Sequence, residues 1–339
     1  MGEHALNRLM VVATMDCEPI TTLTHGSATG PETWAFGEKA VLGYAEIARS
    51  YGWPVTFFVH PETAEAQPDL FAEVRRDGAF LGLHVHPWKY AMSRYRGRRY
   101  MEHYGGLSDA EQTALLAEAG AIWADAFGNR PDHFRPGTFS ANDSMFRILA
   151  GAGFVGGSCS LPGRAMPQMR ANWTGTDPDP HRAHSCFRLL PGSLDFAEMP
   201  VSVDFSRSLK GRIGGAFHPD LRPDTDWEGQ YGLSYESIAT AIVEQIVERQ
   251  PAVPVLNLLT HNMFDYRNPS DAACVRLRQA MDAIVTACSA KGIEAIGATV
   301  ADVTAAVLAL TVHSDSFVCE GNMYGKGAPV GVLKVPAGA

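Results

Sequence analysis

Predicted strands alternate with longer amphipathic segments along most of this chain, and this alternation constrains the fold more than any other feature. The predicted strands lie at residues 9–14, 54–59, 79–84, 133–137, 154–157, 254–261 and 294–297. The segments with helical spacing lie at residues 32–51, 70–76, 108–127, 142–150, 235–249 and 270–290. Strand, helix and strand in repeated succession predict an α/β fold with parallel strands.

Two parts of the chain depart from this alternation. Residues 158–231 are rich in Pro, Gly, Arg and Asp and contain one convincing strand, at residues 196–201. We interpret this stretch as lid or specificity loops inserted into a single domain of residues 1–310, in preference to a separate small domain. Residues 311–339 turn glycine-rich and lose any period, which predicts a tail or a partner-binding arm, for example in a homo-oligomer.

The composition excludes several classes of function. With 46% hydrophobic residues and a formal net charge of -9, the 339-residue chain is expected to be globular and to bind no nucleic acid. No apolar run reaches about 18 residues, so we expect no membrane span. The sequence shows no signal peptide, and its six cysteines include no C-x-x-C pair, so we expect reduced thiols and a cytoplasmic location.

Polar residues follow the predicted strands at four places. The run at 79–84 ends in His84-Val85-His86, and alternation places both imidazoles on one face, where a converging carboxylate would complete a site for a divalent metal. The other polar strand ends carry Asp16, Glu18, Arg135 and His261. Taken alone, each of these residues could have a purely structural role, as a cap, as a member of an ion pair or as a hydrogen-bonded core histidine. Because the carboxyl ends of parallel strands meet at one edge, we predict that all of them share one pocket.

The segment after His86 is aromatic and basic, and it includes Arg94-Tyr95-Arg96-Gly97-Arg98-Arg99. One interpretation is a solvated loop. The other is a surface that binds a phosphate or carboxylate of the substrate beside the metal. On this second interpretation the predicted substrate-binding residues are Trp88, Arg94, Tyr95 and Pro136.

The strand-end residues resemble the motifs of a known family. Thr14-Met15-Asp16, His84, Arg135-Pro136 and Leu258-Leu259-Thr260-His261 are similar, in order and separation, to the motifs of the polysaccharide deacetylases, the NodB-homology or carbohydrate esterase family 4 hydrolases. Two departures are present. The second acid, Glu18, is not adjacent to Asp16, and the second histidine of the family motif would fall at Trp88, where the chain offers His86 instead.

The resemblance implies a distorted (β/α)7-type barrel and a hydrolase that removes an N-acetyl or other N-acyl group. By analogy, Asp16 would be the general base, Arg135 would orient it and His261 would be the general acid. The metal ligands would be Glu18, His84 and His86. The implied metal is divalent, with zinc ahead of cobalt, nickel, iron or manganese. With no export signal found, the expected substrate is a small intracellular compound such as an N-acetylated sugar or biosynthetic intermediate.

Other readings of the same residues stay open. A His-x-His pair also occurs in metal-dependent amidohydrolases and phosphoesterases, although there it typically comes from the first strand. A metal-independent hydrolase of the same fold, acting on a cyclic amide or ureide as an allantoinase does, is the main alternative. A non-catalytic carbohydrate-binding module is the third.

Overall fold

The computed structural model describes residues 6–24, 29–211 and 214–311. Its strands are β1 Arg8–Cys17, β2 Val55–Val59, β3 Phe80–Val85, β4 His133–Pro136, β5 Gly156–Gly157, β6 Ala165–Met166, β7 Ala171–Asn172, β8 His181–Arg182, β9 Ala197–Glu198, β10 Leu209–Lys210, β11 Ala216–Phe217, β12 Val255–His261 and β13 Glu294–Gly297. Its α-helices are α1 Trp34–Ser50, α2 Pro61–Ala66, α3 Pro68–Arg76, α4 Pro87–Tyr95, α5 Asp109–Phe127, α6 Met145–Gly151, α7 Trp227–Tyr231, α8 Tyr235–Arg249, α9 Ala272–Ala290 and α10 Val300–Leu308.

The main sheet is built around β1, which pairs in parallel with β2, β12 and β13. The strand order is β12-β1-β2-β3-β4-β5-β9-β8, and the pairs from β12 to β9 are parallel. Helices connect successive parallel strands and cover the sheet, which is why β2 is buried along its whole length and reads as a continuous apolar run. The predicted α/β class is confirmed.

The strand register places the polar strand ends beside one another. Asp16 lies opposite His261 in the β1–β12 pair, and His84 lies opposite Arg135 in the β3–β4 pair. Because all four strands run in the same direction, their carboxyl ends form one edge of the sheet. The side chains predicted to meet therefore start from neighbouring backbone positions.

The structure corrects several element predictions. The aromatic part of the segment after His86 is a helix, α4, which ends at Tyr95, whereas Arg96, Arg98 and Arg99 follow it in a turn. Pro87 occupies the first turn of α4, where a missing N–H costs nothing. Helices α2, α7 and α10 were not predicted. The strand predicted at residues 196–201 is limited to Ala197–Glu198.

The stretch 158–231 contains short structure that its composition did not indicate. β8 and β9 extend the main sheet, whereas β10, β11, β6 and β7 form a small antiparallel sheet of their own. The predicted tail, apart from residue 311, lies outside the described residues. Among the helices that the structure describes, none is long and apolar enough to cross a membrane.

We predict opposite effects for alanine at two helical glycines. A Cβ at Gly43 in α1 would lie 2.7 Å from backbone atoms of both Tyr266 and Arg267, in the segment after β12, whereas a Cβ at Gly120 in α5 would meet nothing closer than Arg130 Nη1 at 3.4 Å. Gly43→Ala should lower the free energy of unfolding by about 1–3 kcal/mol through overpacking. Gly120→Ala should raise it by up to about 1 kcal/mol through helix propensity. Urea denaturation measures both, and equal changes would contradict the close packing of α1.

Candidate active site

The end of β1 points its two carboxylates to the same side of the sheet. Asp16 and Glu18 are separated by Cys17, whose side chain belongs to the apolar core. Alternation along the strand explains this division. Burial, followed by the charges of the two carboxylates, raises the pKa of the Cys17 thiol well above its ordinary value, so Cys17 is a neutral core residue.

Arg135, at the end of β4, is the central side chain of the site and is fully buried. Its Nη1 donates to Asp16 Oδ1 at 2.8 Å and to Thr14 Oγ1 at 3.0 Å. Its Nε and Nη2 donate to the carbonyl and hydroxyl oxygens of Ser158, at 3.1 Å and 2.9 Å. The guanidinium also lies 4.2 Å from the centre of the Phe58 ring. These contacts fix Arg135 in one orientation.

Arg135 keeps Asp16 ionised in a buried position. Burial alone would raise the pKa of Asp16, but the charges of Arg135, His84 and His261 and the hydrogen bond from Arg135 lower it below its ordinary value. Asp16 Oδ2 lies 4.0 Å from His84 Nε2, so the carboxylate also borders the histidine pair. A buried carboxylate held in its charged form can accept a proton from a substrate or water.

Among the described residues, Glu18, His84 and His86 form a group that could hold a metal ion. Each offers one ligand atom, and these three atoms lie within 4.8 Å of one another. Glu18 Oε1 lies 2.8 Å from His86 Nε2 and 3.4 Å from His84 Nε2. His84 Nδ1 lies 3.0 Å from the carbonyl oxygen of Arg135, which can only accept, so His84 donates from Nδ1, and Nε2 is the nitrogen that faces Glu18.

The charge states of this group fit a divalent metal. Burial lowers the pKa of His86 to about 3, so this imidazole is neutral near pH 7. Burial would raise the pKa of Glu18, but His86, Lys89 and His84 hold it well below its ordinary value. Two imidazole nitrogens and one carboxylate oxygen are a common donor set for zinc.

Lys89 is a member of the site that the sequence reasoning missed. Its ammonium is buried and lies 2.9 Å from Glu18 Oε2. The residue belongs to α4, one turn after His86, which caps that helix. Pro87 signalled the helix, but the segment was read as a loop.

His261, at the end of β12, has a carboxylate partner that was also missed. Its Nδ1 contacts Asp224 Oδ2, and Thr260 Oγ1 donates to Asp224 Oδ1 at 2.5 Å. Burial would lower the pKa of His261, but Asp224, and then Asp16 and Glu18, raise it above its ordinary value. The protonated form that a general acid requires is therefore favoured.

The predicted substrate-binding residues fall into two groups. Trp88 lies beside the site, with its ring centre 6.1 Å from that of His86, and Pro136 ends the strand that carries Arg135. Arg94 instead forms ion pairs with Glu62 and Glu65, and the Tyr95 hydroxyl donates to Glu118 at 2.6 Å. The structure thus gives Arg94 and Tyr95 partners inside the protein, and substrate binding by all four stays a prediction.

Comparison with known proteins gives a family match over part of the chain and a shared fold over most of it. Residues 39–157 match the family model described as polysaccharide deacetylase. No protein of curated function matches the sequence significantly. A crystal structure described as a polysaccharide deacetylase from Mycobacterium smegmatis is 17% identical, with a TM-score of 0.56 over 94% of this chain and 96% of that one.

Two further crystal structures share the fold at 13% identity. Puue allantoinase has a TM-score of 0.54 over 90% of this chain and 91% of that one. A structure described as a polysaccharide deacetylase from Pseudomonas aeruginosa PAO1 has a TM-score of 0.53 over 88% and 91%. The predicted resemblance to the polysaccharide deacetylases and the predicted NodB-type fold, with its curled, partly closed sheet, are confirmed.

We predict that alanine at Gly137 displaces a metal ligand. A Cβ at this position would lie 2.3 Å from both Cγ and Nδ1 of His86, so the imidazole would have to move away from Glu18. Gly137→Ala should weaken zinc binding by about 10–100-fold, as other losses of ligand support do. Competition with a fluorescent chelator measures the affinity. Gly151→Ala is the control, because a Cβ there meets nothing within 4 Å. Zinc affinity equal to that of the wild type would contradict this packing.

Proposed function

We propose that the protein is a metal-assisted hydrolase that removes an N-acetyl or other N-acyl group from a small substrate such as an N-acetylated sugar or biosynthetic intermediate. The observation that carries this proposal is the register of Asp16 and His261 on adjacent strands. Asp16 is an ionised carboxylate that lies 4.0 Å from His84. His261 is an imidazole whose protonated form is favoured by the charge of Asp224 and then by those of Asp16 and Glu18. Amide hydrolysis needs this pair, since water must lose a proton and the leaving amine must gain one.

In the proposed reaction, Asp16 accepts one proton and His261 donates one. Asp16 accepts a proton from the water whose oxygen attacks the acyl carbon, and Arg135 keeps that carboxylate in its basic form. His261 donates its proton to the nitrogen as the carbon–nitrogen bond breaks, giving a carboxylic acid and an amine. Asp224 stabilises the imidazolium before this transfer. A divalent metal held by Glu18, His84 and His86, with zinc the best match, would supply Lewis-acid polarisation of the water and the acyl oxygen.

A metal-independent hydrolase of a cyclic amide or ureide is the second candidate. What favours it is that both proton-transfer groups already have protein partners, Arg135 for Asp16 and Asp224 for His261. Turnover of a cyclic ureide in the presence of a strong chelator would support this candidate over the first.

We predict that two sets of variants separate metal binding from proton transfer. Glu18→Ala, His84→Ala and His86→Ala should each lose the bound zinc, because each removes a ligand atom from the group. Asp16→Asn and His261→Ala should keep the zinc but lower turnover by roughly 100-fold or more, as expected for a general base and a general acid. Metal analysis and steady-state kinetics on an N-acetylated sugar measure the two effects. Full activity of the metal-free wild type would refute metal assistance.

We predict a shift of the pH profile in Asp224→Asn. Because the pKa of His261 is raised in part by Asp224, activity that depends on the protonated imidazole is lost as the pH rises through that pKa. Removing the charge of Asp224 lowers the pKa, so the alkaline limb of kcat should move to lower pH. Asp226→Asn is the matched control, since Asp226 caps α7 through Gly229. An unchanged alkaline limb in Asp224→Asn would rule out His261 as the acid.

A further inference from the structure

Lys89 is a buried ammonium that donates two hydrogen bonds to Thr29 and forms an ion pair with Glu18. Its side chain has no exposed area. Nζ lies 2.7 Å from the carbonyl oxygen of Thr29, 3.0 Å from Thr29 Oγ1 and 2.9 Å from Glu18 Oε2. Thr29 thus anchors the ammonium, and Lys89 contacts the Glu18 oxygen that does not contact the histidines.

The two oxygens of Glu18 have separate partners. Oε1 faces His84 and His86, whereas Oε2 faces Lys89. Among the residues that the structure describes, Glu18 is the one carboxylate within 4.0 Å of the Lys89 ammonium. A buried ammonium without a counter-charge is strongly unfavourable, so Lys89 and Glu18 depend on each other in the metal-free protein.

We infer that Lys89 is a built-in counter-ion of Glu18 that lowers the affinity of the Glu18–His84–His86 group for divalent metal ions. The inference rests on the metal site of the proposed function. A dication bound through Oε1 shares its carboxylate with a fixed positive charge, and like charges repel strongly in a buried site. Since Oε2 is occupied by the ammonium, Glu18 can offer the metal one oxygen.

Lys89 also helps to position Glu18, and this effect has the opposite sign. The main chain of Glu18, however, is held independently by Asn262, through its N–H at 2.9 Å and its carbonyl oxygen at 3.1 Å. Thr29 Oγ1 adds a contact of 3.3 Å to Oε1. Because the two Asn262 contacts do not involve Lys89 and remain when it is replaced, loss of the repulsion is expected to outweigh loss of positioning.

The test is zinc affinity in the absence of substrate. Lys89→Met keeps the length of the side chain and removes its charge, and it should bind Zn²⁺ at least about tenfold more tightly than the wild type in competition with a fluorescent chelator. Lys291→Met is the matched control, because Lys291 forms an exposed ion pair with Glu244, and its zinc affinity should not change. Equal or weaker binding by Lys89→Met overturns the inference.

Thermal melting gives a second, activity-independent readout. Metal-free Lys89→Met leaves the charge of Glu18 without its ammonium, so its Tm should be lower than that of the wild type, and Zn²⁺ should raise it by more. If this variant does not fold without metal, Lys89→Gln, which keeps an N–H donor, is expected to show the same tighter binding. Zinc bound with one affinity by all variants overturns only the role of Lys89, whereas no zinc binding by any of them overturns the metal site as well.

Discussion

The buried contact between Arg135 and Asp16 is the interaction on which the rest of the site depends. One guanidinium joins the carboxyl ends of β4 and β1 to Ser158, beyond β5, and all of its nitrogen atoms donate. Buried ion pairs contribute little to stability, because desolvation offsets much of their attraction. The contribution of this pair is to the charge of Asp16, since without a fixed cation a carboxylate at this depth would take up a proton.

The same rule extends across the site, where each buried charge has its own partner. Asp16 is matched by Arg135, Glu18 by Lys89 and His261 by Asp224. This matching is what allows so many ionisable groups to lie below the surface. It also means that Asp16 and His261, the two groups proposed to transfer protons, are already held in place by the protein, so that the proposed reaction would need little reorganisation.

The part of the site that could be predicted from the sequence is the part carried by strands. Asp16, His84, Arg135 and His261 end buried runs, and parallel pairing alone brings such ends to one edge. Asp224 precedes His261 by 37 residues in a stretch without periodicity, so its position depends on tertiary contacts that no local pattern encodes. Lys89 could have been predicted from the sequence, because Pro87 marks the first turn of α4 and places Lys89 one turn after His86. Residues 158–231 show the same limit, since β9 pairs with β5 and β11 pairs with β6, in each case about 40 or more residues away in the sequence.

The two departures from the family motifs have a common physical origin. β1 continues through Cys17, so an acid adjacent to Asp16 would point into the core that Cys17 occupies, and only the residue after it returns to the side of the site. His86 is likewise still extended, with φ -97° and ψ 107°, so a ligand two residues after His84 lies on the same face. Their ring centres are 4.9 Å apart, and both Nε2 atoms face Glu18 Oε1. Asp-x-Glu and His-x-His therefore both follow from the two-residue period of a strand, which places both members of each pair on the same face. The two departures fit each other, because Glu18 and His86 meet on that face.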